Sequence, residues 1–234
     1  MDTQTLKPQE SFKPAEYAEH QLLEAILNKN YPPGSRLPGE RVLAERLGVT
    51  RPTLREALQR LSREGWITIA QGKTTRVNDY FKDGGLALLV SMVRHSRNMD
   101  KGLVSHLLEV RLTLLPGVAR LAADRHPRRL MSYLKGEEEL GDDPDLFAEF
   151  DWGLQLLLAE LTDNPVFRLI LNDFTPMYTI LGRLYFKEEK ARKRSRRYYR
   201  ELMDAVWKGG AGTDSVVRSV MEDSIEFFKE LSHD

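Results

Sequence analysis

Gly48-Val49-Thr50-Arg51-Pro52-Thr53-Leu54-Arg55-Glu56-Ala57-Leu58, running on to Glu64-Gly65-Trp66, decides the fold of the first third of the chain. Gly48 is suited to end a preceding helix as its C′ residue. Thr50 is suited to N-cap the next one, and Pro52 is tolerated in a first turn whose amides lack intrahelical acceptors. Leu54, Leu58 and Leu61 then recur at i, i+4, i+7 and form a docked face. At about 100° per residue, Arg51, Arg55 and Gln59 make a polar stripe roughly 90° round from those leucines. Downstream, residues 66–70 and 74–77 are β material separated by the tight Gln71-Gly72-Lys73 turn, which predicts a small hairpin with a basic tip; Trp66, Leu58 and Ile69 read as core. Upstream, Ala18, Leu22, Leu23 and Ile26 have helical spacing from about Ala15, and Tyr31-Pro32-Pro33-Gly34 stops that helix. A second short helix is expected over 39–47, and the first dozen residues read as a loose arm. Three short helices followed by a basic hairpin match a winged helix-turn-helix, whose third helix enters the major groove while the hairpin reaches the backbone or minor groove.

The charge distribution agrees. The 234 residues carry 35 basic and 35 acidic side chains, yet residues 36–76 hold nine Lys or Arg against four acids. Such a basic patch is the footprint expected for phosphate binding, although a solvated helical surface has the same composition. Arg51 and Arg55 can each offer paired donors to O6 and N7 of guanine. Thr50, Thr53 and the helix N-terminal amides can hold phosphate oxygens, Gly72 permits close approach, and Lys73 supplies charge. The remaining composition is 41 % hydrophobic, enough for a real core, and contains no cysteine. That removes disulfides and thiolate metal sites and fits a reducing, cytoplasmic setting. No apolar run approaching ~18 residues is evident, and the N-terminal stretch is polar rather than signal-like.

Residues 79–85 read as a linker. Beyond it helices are expected over 86–95, 103 to about 124, 127–134, 146–161, 164–186, 191–208 and 213–231, with Pro176 kinking or splitting its helix. Arg111 interrupts an apolar face made by Leu107, Leu108, Leu114 and Leu115, so its guanidinium needs an anion: an internal carboxylate such as Glu149 or Asp151, or a ligand's acid or phosphate. Tyr178 and Tyr185 share a face two turns apart, which core packing alone would also explain. Residues 187–200 hold eight bases against two acids, and 137–151 hold eight acids and no base. They read either as solvated faces that attract one another or as a place for phosphates.

Leu37-Pro38-Gly39-Glu40-Arg41, the 48–58 stretch and Glu64-Gly65-Trp66 closely resemble the GntR family of regulators over about residues 15–78. The resemblance implies that Arg41, Thr50, Arg51, Thr53, Arg55, Gly72 and Lys73 contact a pseudo-palindromic double-stranded DNA operator, bound by a homodimer. Gln71 joins them at the wing tip, where the most similar branch has a His; Pro52 replaces a Thr. Phe147-Ala148-Glu149-Phe150-Asp151, Leu108-Glu109-Val110-Arg111, and Asn164-Pro165-Val166 through Tyr178-Thr179, Gly182-Arg183 and Tyr185-Phe186 are similar to the fatty-acid-responsive FadR branch of that family. This implies a mainly α fold: a winged helix-turn-helix over 1–78, a linker over 79–85, and over 86–234 an all-α antiparallel bundle that binds the effector. The implied effector is long-chain acyl-CoA, whose binding releases DNA, with Arg111, Tyr178 and Tyr185 at the pocket and Arg218, Ser224 and Phe228 near its CoA end. Met221 stands where that branch has a glycine, Asp223 a glutamate, and Phe228 a tryptophan.

Another subgroup of the family binds a metal with one Asp and three His. Asp151 could be that Asp, but Gln155 occupies the following His position and residues 127–232 contain no histidine, so no metal is expected. An enzyme is disfavoured: there is no cysteine nucleophile, no Gly-rich phosphate loop, and no motif joining the five histidines to acids or hydroxyls. The alternatives are a GntR-type regulator sensing another small acid or CoA ester, and an acyl-CoA carrier or scaffold without operator recognition, which leaves Arg51, Arg55 and the wing unexplained.

Overall fold

A computed structural model describes residues 13–70, 72–95 and 101–230; the expected N-terminal arm and Gln71 lie outside the described residues. The chain divides into two compact units, Met1–Ser96 and Arg97–Asp234.

In the first unit α1 (Pro14–Leu27), α2 (Glu40–Leu47) and α3 (Arg51–Arg63) form the helical part, and β1 (Ile67–Thr68) and β2 (Arg76–Val77) the wing. Pro14 begins α1, where the Glu16 carboxylate accepts from the Lys13 backbone N–H at 3.2 Å. The turn between α2 and α3 closes as the sequence dictates. Gly48 is left-handed at φ +66°, which an L side chain rarely adopts, and the Thr50 hydroxyl accepts the Thr53 amide at 3.3 Å. Leu54, Leu58 and Leu61 of α3 are buried with Leu22, Leu23 and Ile26 of α1 and Trp66.

The wing is shorter than expected. Among the described residues β1 and β2 pair antiparallel through Ile67 with Val77 and Thr68 with Arg76, whereas β2 gains a second partner on its other edge. There Arg36 bridges Arg76, the Leu37 amide donates to the Thr75 carbonyl, and the Val77 amide donates to the Ser35 carbonyl, each N–H···O bond 2.9 Å. Ile69, expected in the core, is 38 % exposed, because past the paired residues the wing leaves the helical core.

The expected linker is also part of this unit. Tyr80–Asp83 form the short helix α4, with the Tyr80 ring buried 5.1 Å from that of Trp66. Gly84 has no room for a side chain, since a Cβ there would lie 2.3 Å from the Tyr80 carbonyl oxygen. α5 (Leu86–His95) follows, and the division falls after Ser96 rather than at 85/86. The reason is a buried hydrogen bond: the fully buried Trp66 indole N–H donates to Ser91 Oγ at 3.0 Å, and that hydroxyl donates to Glu64.

The second unit contains α6 (Lys101–Arg125), α7 (Pro127–Leu134), a 3-10 turn (Lys135–Glu139), α8 (Pro144–Glu160), α9 (Pro165–Lys187), α10 (Glu189–Trp207) and α11 (Thr213–Glu230). Asp143 caps α8 through the Asp145 and Leu146 amides, and Asn164 caps α9 through Val166. Pro176 does not split α9, which runs on to Lys187. The pairs α6 with α11, α8 with α9 and α10 with α11 enclose a core that includes Leu115, Leu154, Phe147, Phe186, Tyr198 and Tyr199. Contrary to the sequence reading, Gly102–Arg125 is long and apolar enough to cross a membrane by length and composition. Its apolar residues Leu115, Val118, Ala119 and Ala122 are instead spent on the protein core.

The acidic and basic runs meet. Arg192 grips Asp142 through Nε at 2.6 Å and Nη2 at 3.1 Å, while Arg196 and Arg200 reach the buried Glu137 at 3.3 and 2.8 Å. The pairing explains the juxtaposition without a bound phosphate.

Ser91→Ala should leave the buried Trp66 N–H without an acceptor. We expect a loss of about 1–3 kcal/mol in the stability of the first unit, read as faster amide hydrogen exchange in α3 and α5 of the full chain.

Candidate functional site

Two groups of residues stand out, one in each unit. On α3, Arg51 and Arg55 are one turn apart and solvent-facing, with side chains 57 % and 60 % exposed. Thr50, the N-cap, and Thr53, in the first turn, flank Arg51, their hydroxyls 2.8 Å apart. Arg41, on the exposed side of α2, pairs with Glu45 at 3.0 Å. At the wing tip Gly72 has φ +72° with open space around it, so the turn needs glycine for its backbone and not for want of room. The exposed Lys73 donates its backbone N–H to the Ala70 carbonyl at 3.1 Å. Lys73, with Arg36 and Arg76, also borders an open cleft of about 920 Å³ beside the wing.

Spacing alone gave no sign of Glu40. From the first turn of α2 its Oε2 accepts from Arg55 Nε at 2.8 Å and lies 3.8 Å from Arg51 Nη2. Fifteen residues separate Glu40 from Arg55, and only the packing of α2 on α3 brings them together.

The second group lines a cavity of about 80 Å³ in the helical unit. Most of its wall is apolar, including Leu108 and Leu114 of α6, Phe174, Met177 and Leu181 of α9, and Met221 of α11. One end is polar and centred on Asp151 of α8, which is 5 % exposed. Its Oδ2 accepts from the Tyr178 hydroxyl at 2.5 Å and from Gln155 Nε2 at 2.7 Å; its Oδ1 accepts from the Tyr199 hydroxyl at 3.0 Å. Arg111 Nη2 stands 3.7 Å from Oδ2, and Arg111 Nε donates to Gln155 Oε1 at 3.2 Å. Of the two carboxylates open to Arg111 on the sequence, Asp151 is therefore the partner, while Glu149 is exposed. Gln155 occupies the place of the missing histidine and spends both ends of its amide inside this network. Among the described residues no cluster of three His, Asp or Glu gathers in metal-binding geometry.

Tyr178 is fixed on both faces. It stacks on Trp152 with ring centroids 4.5 Å apart, and the Arg111 guanidinium lies 5.7 Å from its ring centre. Gly182, one turn on, makes room for it: a Cβ there would lie 2.7 Å from the Tyr178 ring. Tyr185 lines the cavity and packs against Phe227 and Phe228 at 5.0 and 6.2 Å.

The other expected effector residues divide. Ser224 and Phe228 line the same cavity, the Ser224 hydroxyl donating to the Met221 carbonyl at 2.7 Å. Arg218 does not join them; it is exposed on α11 and is not part of the cavity wall. Asp223 faces away from it and binds Arg194. Tyr199 was hidden by the basic run in which it sits. The signal that finds it is the helical recurrence of Ala191, Ser195, Tyr198, Tyr199 and Leu202, all buried.

Burial is the main influence on these phenols. It pushes Tyr178 and Tyr199 well above the usual tyrosine range, with the Asp151 charge adding to the effect, and it raises Tyr185 for the same reasons, against an opposing pull from Arg111. Tyr133, under burial and Asp151, is pushed up to about 12. The folded chain thus keeps protons that the unfolded chain releases above about pH 10. Stability should be untouched by these groups below that pH and fall as pH rises through about 10 to 12. Phenolate absorbance should show a late, cooperative class of tyrosines coinciding with unfolding; smooth titration of all eight near their ordinary value would contradict the buried network.

Residues 14–77 match the family described as bacterial regulatory proteins, gntR family, and residues 78–234 match the FadR C-terminal domain. The fatty acid metabolism regulator protein of Klebsiella pneumoniae subsp. pneumoniae is 41 % identical over 189 residues, 81 % of this chain and 79 % of that protein. Its counterpart in Cronobacter sakazakii is 42 % identical with the same shares. Among solved structures, Lar, which controls expression of the Listeria monocytogenes agr system, gives a TM-score of 0.62 at 17 % identity, covering 95 % of this chain and 100 % of that one; this likeness concerns the fold alone.

Proposed function

The chain belongs to the gntR family of bacterial regulatory proteins, with a second domain of the FadR C-terminal type, and from that premise we propose that it is a sequence-specific DNA-binding regulator of fatty-acid metabolism, released from its operator by long-chain acyl-CoA. The observation that carries the DNA half is the pair of exposed guanidiniums on α3. Arg51 and Arg55 stand at neighbouring levels of the face beside the docked leucines, as reading of guanine edges from the major groove requires. Thr50, Thr53, Arg41, Gly72, Lys73 and Gln71 are the proposed phosphate and wing contacts. A homodimer would set two such helices about 34–36 Å apart on a pseudo-palindrome. Its setting is the cytoplasm, where the operator lies.

The effector half rests on the cavity. Its wall suits an acyl chain, and its polar end is already balanced, since Asp151 faces Arg111. A free carboxylate would meet the negative charge of Asp151, whereas a thioester carbonyl can accept from Arg111 without adding charge. At about 80 Å³ the cavity is well below the roughly 300–1,000 Å³ of typical ligand sites. Ligand entry would therefore need the wall to give way, by side chains turning or helices separating, and helix separation is how binding in one unit would bias the other. By linkage the ligand weakens DNA binding by the factor by which DNA weakens ligand binding. The buried Met221 and the Phe228 ring at the cavity wall favour a second reading, a shorter acid or CoA ester. No cofactor, metal or catalytic step is part of either reading.

Arg51→Ala and Arg55→Ala should each relax base preference by about 1–3 kcal/mol, measured as the affinity ratio between a selected operator and base-substituted versions; unaltered discrimination would reject the recognition role. Titrating the protein–operator complex with oleoyl-CoA, oleate and CoA separately should release DNA only with the thioester. Release by a short-chain acyl-CoA alone would support the second reading, and binding of acyl-CoA by a chain with no operator preference would make it a carrier.

A further inference from the structure

Glu40 is an unexpected neighbour for two groups offered to a polyanion. A carboxylate on a DNA-facing surface repels phosphate, so an exposed acid there opposes affinity. Glu40 lies in the first turn of α2, at the positive end of the helix, a usual place for an acidic side chain. Arg51 and Arg55, one turn apart on α3, repel one another, and Glu40 Oε2 lies 2.8 Å from the Nε of one and 3.8 Å from the Nη2 of the other. The bond to Arg55 is made through Nε, which leaves both terminal nitrogens of that guanidinium for a base edge. A flexible arginine anchored in this way gives up less freedom on binding than an unanchored one.

We propose that Glu40 is a specificity-determining positioning residue for the operator. It orients Arg55 and Arg51 for base edges, and its charge penalises phosphate contacts that are not accompanied by base contacts. On the correct sequence, guanine acceptors and Glu40 share the same guanidiniums; on a wrong one the arginines would have to leave Glu40 to reach phosphate. Discrimination by repulsion against the wrong partner is a general device of specific interfaces. The inference rests on the operator reading above and adds to it a residue that contacts the arginines and not the base.

The experiment uses the full chain and random-sequence duplexes, from which wild-type protein selects a consensus; the probes are that consensus duplex and a shuffled duplex of the same composition. Glu40→Gln should bind the shuffled duplex more tightly and the consensus no more tightly, lowering the consensus-to-shuffled ratio about tenfold. Glu56→Gln removes an equal charge from α3, at a residue paired with Arg60, and should strengthen both duplexes alike. Glu40→Asp keeps the charge but shortens the reach, so it should lose discrimination without the gain in shuffled binding. In an Arg55→Gln background Glu40→Gln should have little further effect on the ratio. Equal strengthening of both duplexes by Glu40→Gln, matching Glu56→Gln, would overturn the proposal, as would full discrimination by Glu40→Asp. Failure of the wild type to enrich any sequence would instead overturn the operator reading itself.

Discussion

Taking a carboxylate out of water costs several kcal/mol unless its oxygens find donors and its charge finds a counter-charge, and removing one partner of such a group costs more than the group contributes. Asp151 meets these conditions only because four helices converge on it. Gln155 comes from its own helix α8, Arg111 from α6, Tyr178 from α9 and Tyr199 from α10. Each donor is itself held: Tyr178 by Trp152 and the room at Gly182, Tyr199 against the Phe150 ring at 4.9 Å, and Arg111 by the Gln155 carbonyl oxygen. Apolar packing brings the helices together, and Asp151 adds a contact whose partners are supplied only when all four are in place.

The same constraint shapes the cavity. Its polar end is occupied by a matched Arg and Asp rather than by a free cation, and its apolar end is bordered by side chains that can turn, among them Met177, Met221 and Phe228. The proposed ligand would enter where packing is adaptable and press against a part that is not.

Charge in this chain is arranged locally while the total cancels. The run at 187–200, conspicuous in the sequence, is partly consumed by Asp142 and the buried Glu137. The less conspicuous Arg51 and Arg55 of α3 remain exposed and share a single carboxylate. Density of charge in the sequence is therefore a poor guide to which cations are available to a partner; what matters is which acids the fold places opposite them.

The sequence by itself determined the helix-turn-helix, because its signals are local: the left-handed Gly48, the Thr50 cap, and the leucine period that separates the docked face from the arginine stripe. It also located most of the second unit's helices and singled out Arg111 as a charge in need of a partner, since an apolar period broken by one arginine is visible in any window. Tertiary structure decided the rest. It took Ile69 out of the core, gave β2 a second partner at Arg36, and drew residues 80–95 into the first unit through Trp66, Tyr80 and Ser91. It chose Asp151 over Glu149, kept Arg218 off the cavity, and set Glu40 between Arg51 and Arg55. Periodicity records which side of an element is buried, whereas the identity of a polar partner fifteen or forty residues away depends on how those elements pack.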